Sequence, residues 1–297
     1  MESQTNIAMP VTVPSFISPV SVDNLEPLYL PAAIRDDLER LKLGINSPLH
    51  PNRFLFAGSP GTGKTESVKH LAAELNKNLY ELNVEEIVSS KLGETNKNLK
   101  RAFNQMKDCD IVLLDELDSL IYNRLDNKDI SEMRRVISTF IKCLDNVLDK
   151  ETVLICTTNL VGEIDKAVLR RFNKNISFDQ YALSEINALA SALLKEALKI
   201  DKREVPLEIF MKAFHILYAN DNYRVQSPAD IKNLIQTSLA FSNPKIEGDF
   251  IRYMLESHLI RYSDYEDHFT DEELKYLTKG THAYGDYTHD YRTPYTI

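Results

Sequence analysis

The chain has 297 residues, 43% hydrophobic and 27% charged, the balance of a folded globular protein with room for two domains. A net charge of −9 and a pI near 5.4 argue against a generally basic nucleic-acid-binding surface, though not against a local basic groove. No run reaches the roughly 20 apolar residues that cross a bilayer, and Met1–Val20 has neither the basic start nor the apolar core of a secretory signal. Cys109, Cys143 and Cys156 lack metal-ligand spacing and read as free thiols, two of them in apolar segments. The chain therefore reads as cytoplasmic.

Residues 1–22, with Pro10, Pro14 and Pro19, read as a flexible extended arm. An α/β domain is expected over 23–179. Ile34, Leu38 and Leu41 give Ala32–Leu43 one apolar helical face. Arg53–Ala57 is a short apolar strand running into Gly58. Glu66–Asn76 reads as a helix, Leu79–Asn83 as a strand, Leu99–Met106 as a helix and Ile111–Leu114 as a fully apolar strand. A helix over Glu132–Asp145 and strands at Val153–Thr157 and Ile176–Phe178 complete the alternation. That pattern predicts a parallel sheet covered by helices on both faces. Beyond Tyr181 strands give way to four helical patterns, Ser184–Lys199, Pro206–Tyr218, Ser227–Phe241 and Pro244–Leu259, so 180–260 reads as a small all-α domain. The remainder, 261–297, holds seven of the fourteen tyrosines and little apolar periodicity.

Gly58-Ser59-Pro60-Gly61-Thr62-Gly63-Lys64-Thr65 fits the phosphate-binding loop G-x-x-x-x-G-K-[ST]. Its glycines let backbone N–H groups curl around phosphate oxygens, and the following helix, entered through Thr65 and Glu66, aims its positive dipole end at the same anion. In this reading Lys64 reaches the β- and γ-phosphates and Thr65 binds Mg²⁺. The apolar strand before and the helix after supply the context the motif requires. Ile111-Val-Leu-Leu-Asp115-Glu116 is the second half: Asp115 at a strand end holds Mg²⁺, directly or through its waters, and Glu116 polarises the attacking water. Asp118 reads equally as part of this cluster or as a solvated or capping carboxylate. Asn159, ending a third strand, has the reach to position water or touch the γ-phosphate, but a strand-end Asn also forms turns. Arg170 and Arg171 after a short helix, Asp165–Leu169, fit an arginine-finger role or a surface charge pair favoured by the helix dipole.

These motifs, in this order, resemble those of the AAA ATPases, most closely the branch containing spastin, katanin and the ATPase that disassembles ESCRT-III. The likeness covers about Leu25–Phe241. Leu114-Asp-Glu-Leu-Asp-Ser-Leu120 resembles that branch's Walker B segment and Asn159 falls at sensor 1. Asp165-Lys-Ala-Val-Leu-Arg-Arg-Phe172 resembles its arginine-finger segment, and Ser227-Pro-Ala-Asp-Ile231 its sensor 2 stretch. Ser90-Lys-Leu-Gly-Glu-Thr-Asn-Lys-Asn-Leu resembles its first pore loop and the helix that follows. The resemblance implies a hexameric ring, with ATP and Mg²⁺ between subunits, Arg170 and Arg171 acting on the neighbour's ATP, and pore loops gripping a protein substrate.

Three departures stand out. Lys91, followed by Leu92, occupies the pore-loop position that usually carries an aromatic. Pro228 replaces the usual Gly of the sensor 2 stretch. No amino-terminal adaptor domain is recognisable, which leaves the arm, the tail or a partner to find substrate. The tail reads either as loosely packed chain or as a tyrosine-rich docking strip; His268, His282 and His289 are not at ligand spacing. Small bacterial AAA proteins of similar outline are sometimes paired with a separate protease. Three functions remain open: a protein remodeller, an ATP-dependent switch that holds or activates a partner, and a nucleic-acid translocase, against which the acidic balance argues.

Overall fold

A computed structural model describes residues 15–88, 94–121, 130–146, 148, 150–219, 227–258 and 260–279. Lys91 and Leu92, the expected pore-loop pair, lie outside the described residues, as do His282 and His289. The chain divides into two compact units, Met1–Tyr181 and Ala182–Ile297.

The first unit is built on a six-stranded sheet: β1 (Ile17–Val20), β2 (Arg53–Ala57), β3 (Leu79–Leu82), β4 (Ile111–Leu114), β5 (Val153–Thr158) and β6 (Lys174–Ser177). Across the sheet the order is β1-β3-β4-β5-β2-β6. The five strands β2–β6 are parallel, as the strand–helix alternation requires. β1 is the exception: it pairs antiparallel with β3, Ile17 opposite Leu82 and Val20 opposite Leu79. The sheet is thus mixed rather than purely parallel.

The 1–22 arm is also corrected over its described part. Phe16 is fully buried in the core, and its N–H donates to Gln105 Oε1 at 2.9 Å, so one aromatic and one amide fasten this segment to the sheet edge. Pro19 is compatible because an edge strand leaves alternate N–H groups unpaired.

β4 and β5 read as continuous apolar runs because both of their faces are covered. Val112, Leu114, Leu154 and Cys156 point into one core, with Phe103 and Phe140 from the helices Glu94–Gln105 and Ile130–Asn146. Ile111, Leu113, Val153 and Ile155 point into the other, with Phe56, Val68 and Leu71. That two-residue alternation is the strand's own geometry. Truncating one of the leucines or isoleucines among them to Ala is expected to cost about 2–5 kcal/mol. Cys156 belongs to this wall and Cys143 to a covering helix; burial raises both thiols, Cys143 to about 11.

The second unit is helical among its described residues: Leu183–Asp201, Leu207–Ala219, Pro228–Phe241, Asp249–Glu256, Tyr262–Tyr265 and Asp271–Thr278. Phe210 stacks on both Phe214 and Phe250, with ring centroids 6.1 Å apart in each pair. Pro228 has a local explanation. It follows the N-cap Ser227, whose Oγ accepts the Asp230 N–H at 3.3 Å while Asp230 Oδ2 accepts the Ser227 N–H at 2.9 Å. A proline just inside a helix start costs no hydrogen bond and is preorganised in φ.

The tail reading changes over 260–279. Tyr265, Phe269 and Leu277 are buried, and Thr270 and Glu273 form a capping box that starts the helix Asp271–Thr278. Gly248 (φ +77°) packs so closely against that helix that a Cβ would overlap the Tyr276 carbonyl. Ile260, Tyr265, Phe269 and Leu277 are the buried apolar positions here, at irregular spacing, which is why no long periodic pattern marks these short helices.

Candidate functional site

The C-terminal ends of β2, β4 and β5 lie side by side, with Ala57 paired to Thr158 and Leu114 to Cys156. Residues immediately after these three strands are therefore gathered at one edge of the sheet. Gly58–Gly63 makes the turn from β2 into the helix Lys64–Glu74. Gly58, Gly61 and Gly63 have φ of +154°, +76° and +92°, a backbone path that residues with a Cβ adopt at a cost. A Cβ on Gly58 would also lie 3.0 Å from Phe178 Cβ.

Lys64 is 7% exposed, and its Nζ donates to the carbonyls of Gly58 (2.7 Å) and Ser59 (2.8 Å) and to Asn159 Oδ1 (2.8 Å). Burial lowers its pKa, and the nearby carboxylates of Asp179, Asp115, Asp118 and Glu116 oppose that shift. The ammonium thus sits in a pocket of fixed acceptors with negative charge around it, ready for an anion with stronger acceptors.

Thr65 Oγ1 lies 3.1 Å from both Asp115 oxygens. Asp115 Oδ1 also accepts a hydrogen bond from Thr157 Oγ1. Glu116 follows with φ +54°, left-handed for a residue with a side chain, a conformation that costs about 1–2 kcal/mol. Its N–H donates to Thr157 Oγ1 at 2.9 Å, and its exposed carboxylate accepts from Ser119 Oγ at 3.2 Å. Asp118 is an anchor for the end of β5: its Oδ1 accepts from Thr158 Oγ1 (2.9 Å) and from the Asn159 N–H (3.2 Å). Asp118 thus anchors the end of β5 and also contributes to the negative charge around Lys64. Glu66, in the first turn of the helix, turns its side chain outward to Lys69 at 2.7 Å. Ser59 and Pro60 are exposed, and Thr62 is buried with its Oγ1 donating to the Ser59 carbonyl at 2.8 Å.

Lys64, Thr65, Asp115, Glu116 and Asn159 thus come together. Arg170 and Arg171 do not join them. The Asn173 N–H donates to the Arg53 carbonyl, at the start of β2, whereas the glycine loop leaves its other end. At about 3.3 Å per residue the strand separates the two by more than 10 Å. Arg171 Nε pairs with Asp145 Oδ2 at 3.4 Å and its Nη1 donates to the Ala167 carbonyl at 3.2 Å. Arg170 is exposed, and among the described residues its guanidinium has no hydrogen-bond or ion-pair partner.

Sequence reading missed Thr157, Asp179 and Tyr181. Asp179 Oδ1 accepts the Ser59 N–H at 2.7 Å, and Tyr181 Oη donates to the Thr62 carbonyl at 3.1 Å, so the segment after β6 pins the loop at two points. Neither residue forms a motif. Thr157 carried a faint signal, as a polar residue ending an otherwise apolar strand. Among the described residues no group of three or more His, Cys, Asp or Glu could hold a metal ion, and no helix is long and apolar enough to cross a membrane.

Residues 54–180 match the family model described as "ATPase family associated with various cellular activities (AAA)". The AAA family ATPase y4kL of Sinorhizobium fredii is 33% identical over 158 residues, 52% of this chain and 45% of the relative, so the chain spans less than half the length of that protein. A chain of the Escherichia coli MS115-1 HORMA:CdnC:Trip13 complex superposes with a TM-score of 0.61 at 17% identity, covering 77% of this chain and 88% of the other. The FIGL-1 AAA domain in complex with ADP gives 0.57 at 18% identity, covering 86% and 94%. At such identities the two structures speak to the fold alone. The phosphate-binding loop, the acidic strand end beside it and the sheet order agree with that match, and residues 54–180 are the part of this chain that is similar to the AAA ATPases.

Proposed function

We propose that this chain hydrolyses Mg²⁺-bound ATP at a site completed by a second copy of itself in a ring, hexameric by family resemblance, and that turnover remodels a protein partner. The observation that carries the reading is the split just described: five polar residues converge at one sheet edge, while Arg170 stands exposed and makes no hydrogen bond or ion pair with them.

The residues present fit the nucleotide and its cation. A loop whose glycines take positive φ, with Gly58 also pressed against Phe178, suits phosphate oxygens, and a buried lysine whose hydrogen-bond acceptors among the described residues are neutral suits their charge. Thr65 and Asp115 are hard oxygen donors at hydrogen-bond distance, the sparse protein set with which Mg²⁺ is commonly held. In this reading the backbone N–H groups of Gly61 to Glu66 and the Lys64 ammonium bind the phosphates, and Thr65 and Asp115 hold the cation. When bound, Mg²⁺ supplies charge neutralisation at the phosphoryl oxygens. Glu116 takes the proton of the attacking water, Asn159 orients that water, and Arg170 and Arg171 stabilise charge on the neighbour's ATP. Lys91 and Leu92 are assigned to the partner-gripping loop by resemblance alone.

ATPase rate against protein concentration, for wild type and Glu116→Gln, tests the reading. Specific activity should rise steeply with concentration and be lost in Glu116→Gln. A rate per chain that is flat down to dilution where only monomer is present would sink the shared site. For remodelling, Lys91 and Leu92 substitutions should abolish partner processing while leaving ATPase activity.

A further inference from the structure

Thr157 is the next-to-last residue of β5 and is 1% exposed. Its single hydroxyl proton goes to Asp115 Oδ1, and its oxygen accepts the Glu116 N–H at 2.9 Å. One buried hydroxyl therefore holds two consecutive residues of the neighbouring strand end, one through its carboxylate and the other through its backbone. The two bonds do different things. The first fixes the plane of the Asp115 carboxylate, which presents both oxygens to Thr65 at 3.1 Å. The second gives an acceptor to an amide turned out of the ladder by the left-handed Glu116, which sets the direction in which that side chain leaves the strand. A valine has nearly the same shape but would take this partner from the Glu116 N–H and Asp115 Oδ1, so the hydroxyl, not the bulk of the side chain, is what these two bonds require.

We propose that Thr157 is a positioning residue of the ATPase site, whose hydroxyl orients Asp115 for the cation and Glu116 for water. This rests on the roles given above to Asp115 and Glu116. Hydrogen-bond partners of a metal ligand commonly matter 10- to 100-fold in metal affinity or activity.

The test uses the full chain as wild type, Thr157→Val and Thr157→Ser. Each is titrated with the N-methylanthraniloyl derivative of ADP, first in EDTA and then with increasing Mg²⁺, and kcat is measured separately. All three should bind the nucleotide alike in EDTA. Thr157→Val should need about 10-fold more Mg²⁺ for half its effect and lose about 10- to 100-fold in kcat, with Thr157→Ser close to wild type. Thr157→Ala, which removes the hydroxyl without adding a methyl group, gives the same comparison if the valine variant does not fold. A hydroxyl-free variant with wild-type Mg²⁺ half-saturation and kcat, changed only in melting temperature, overturns the proposal. Failure of the underlying site reading looks different: Asp115→Asn would leave the Mg²⁺ response intact, or Glu116→Gln would keep turning over.

Discussion

Lys64 Nζ and Asn159 Oδ1 are hydrogen-bonded at 2.8 Å, joining the helix after the glycine loop to the end of β5. The ammonium's other two acceptors are loop carbonyls, so among the described residues Asn159 is the one side chain that accepts from it. Lys64→Ala should weaken ATP binding by at least about 10-fold, because a buried charge aimed at phosphates is lost. Asn159→Ala should leave binding within a few-fold but lower kcat by about 100-fold, the scale of a lost transition-state contact. Equal losses of binding in both variants, read by nucleotide titration, would contradict this division.

Arg170 and Arg171, adjacent in sequence, should separate in their effects. Arg170→Ala should abolish turnover with no change in melting temperature, since its side chain is exposed and unpaired among the described residues. Arg171→Ala should lose turnover and also destabilise the fold by about 0.5–1 kcal/mol through its half-exposed pair with Asp145. Mixing either variant with Glu116→Gln should restore some hydrolysis in rings that assemble, because each supplies what the other lacks. Calorimetry and ATPase assays on the same preparations decide both points.

Gly58→Ala should cripple nucleotide binding more than stability suggests. The new Cβ would meet Phe178 Cβ at 3.0 Å and Asp179 Oδ1 at 3.2 Å. Asp179 accepts the Ser59 N–H, so the clash displaces the loop from one of its two pins. A loss of about 1–3 kcal/mol in stability is expected from overpacking. ATP affinity unchanged within twofold would show that the loop tolerates the shift.

The second unit should carry an acid-sensitive element. Asp201 accepts from Arg203 Nη2 at 2.9 Å, and that bond holds its carboxyl below the ordinary 3.8. Well above 3.8 the carboxylate is ionised whether the chain is folded or not, and the pair contributes in full. As pH falls toward the lower folded value the unfolded chain takes up the proton first, and the contribution disappears. Asp201→Asn should therefore cost about 1–3 kcal/mol at pH 7 and nothing once the folded carboxyl is itself protonated. A denaturation series showing the same cost at both extremes would assign the loss to packing instead.

The sequence by itself determined the parts of this protein whose physics is local. A lysine after three glycines between a strand and a helix can be read as a phosphate loop because loop and helix dipole act within a few residues. Asp115 and Glu116 were legible for the same reason, at the end of an apolar run. The parallel core was legible from periodicity, since β4 and β5 are apolar on both faces. Only the tertiary structure decided the antiparallel β1, because Phe16 finds its place through Gln105 and a core assembled from distant segments. The roles of Thr157, Asp179 and Tyr181 were hard to see for a related reason: each acts through one or two hydrogen bonds across 41 to 120 residues of chain, and so few long-range bonds leave little pattern. Arg170 and Arg171 show the division most clearly. Their sequence is a repeated letter, and only the fold ties one to Asp145 and leaves the other exposed.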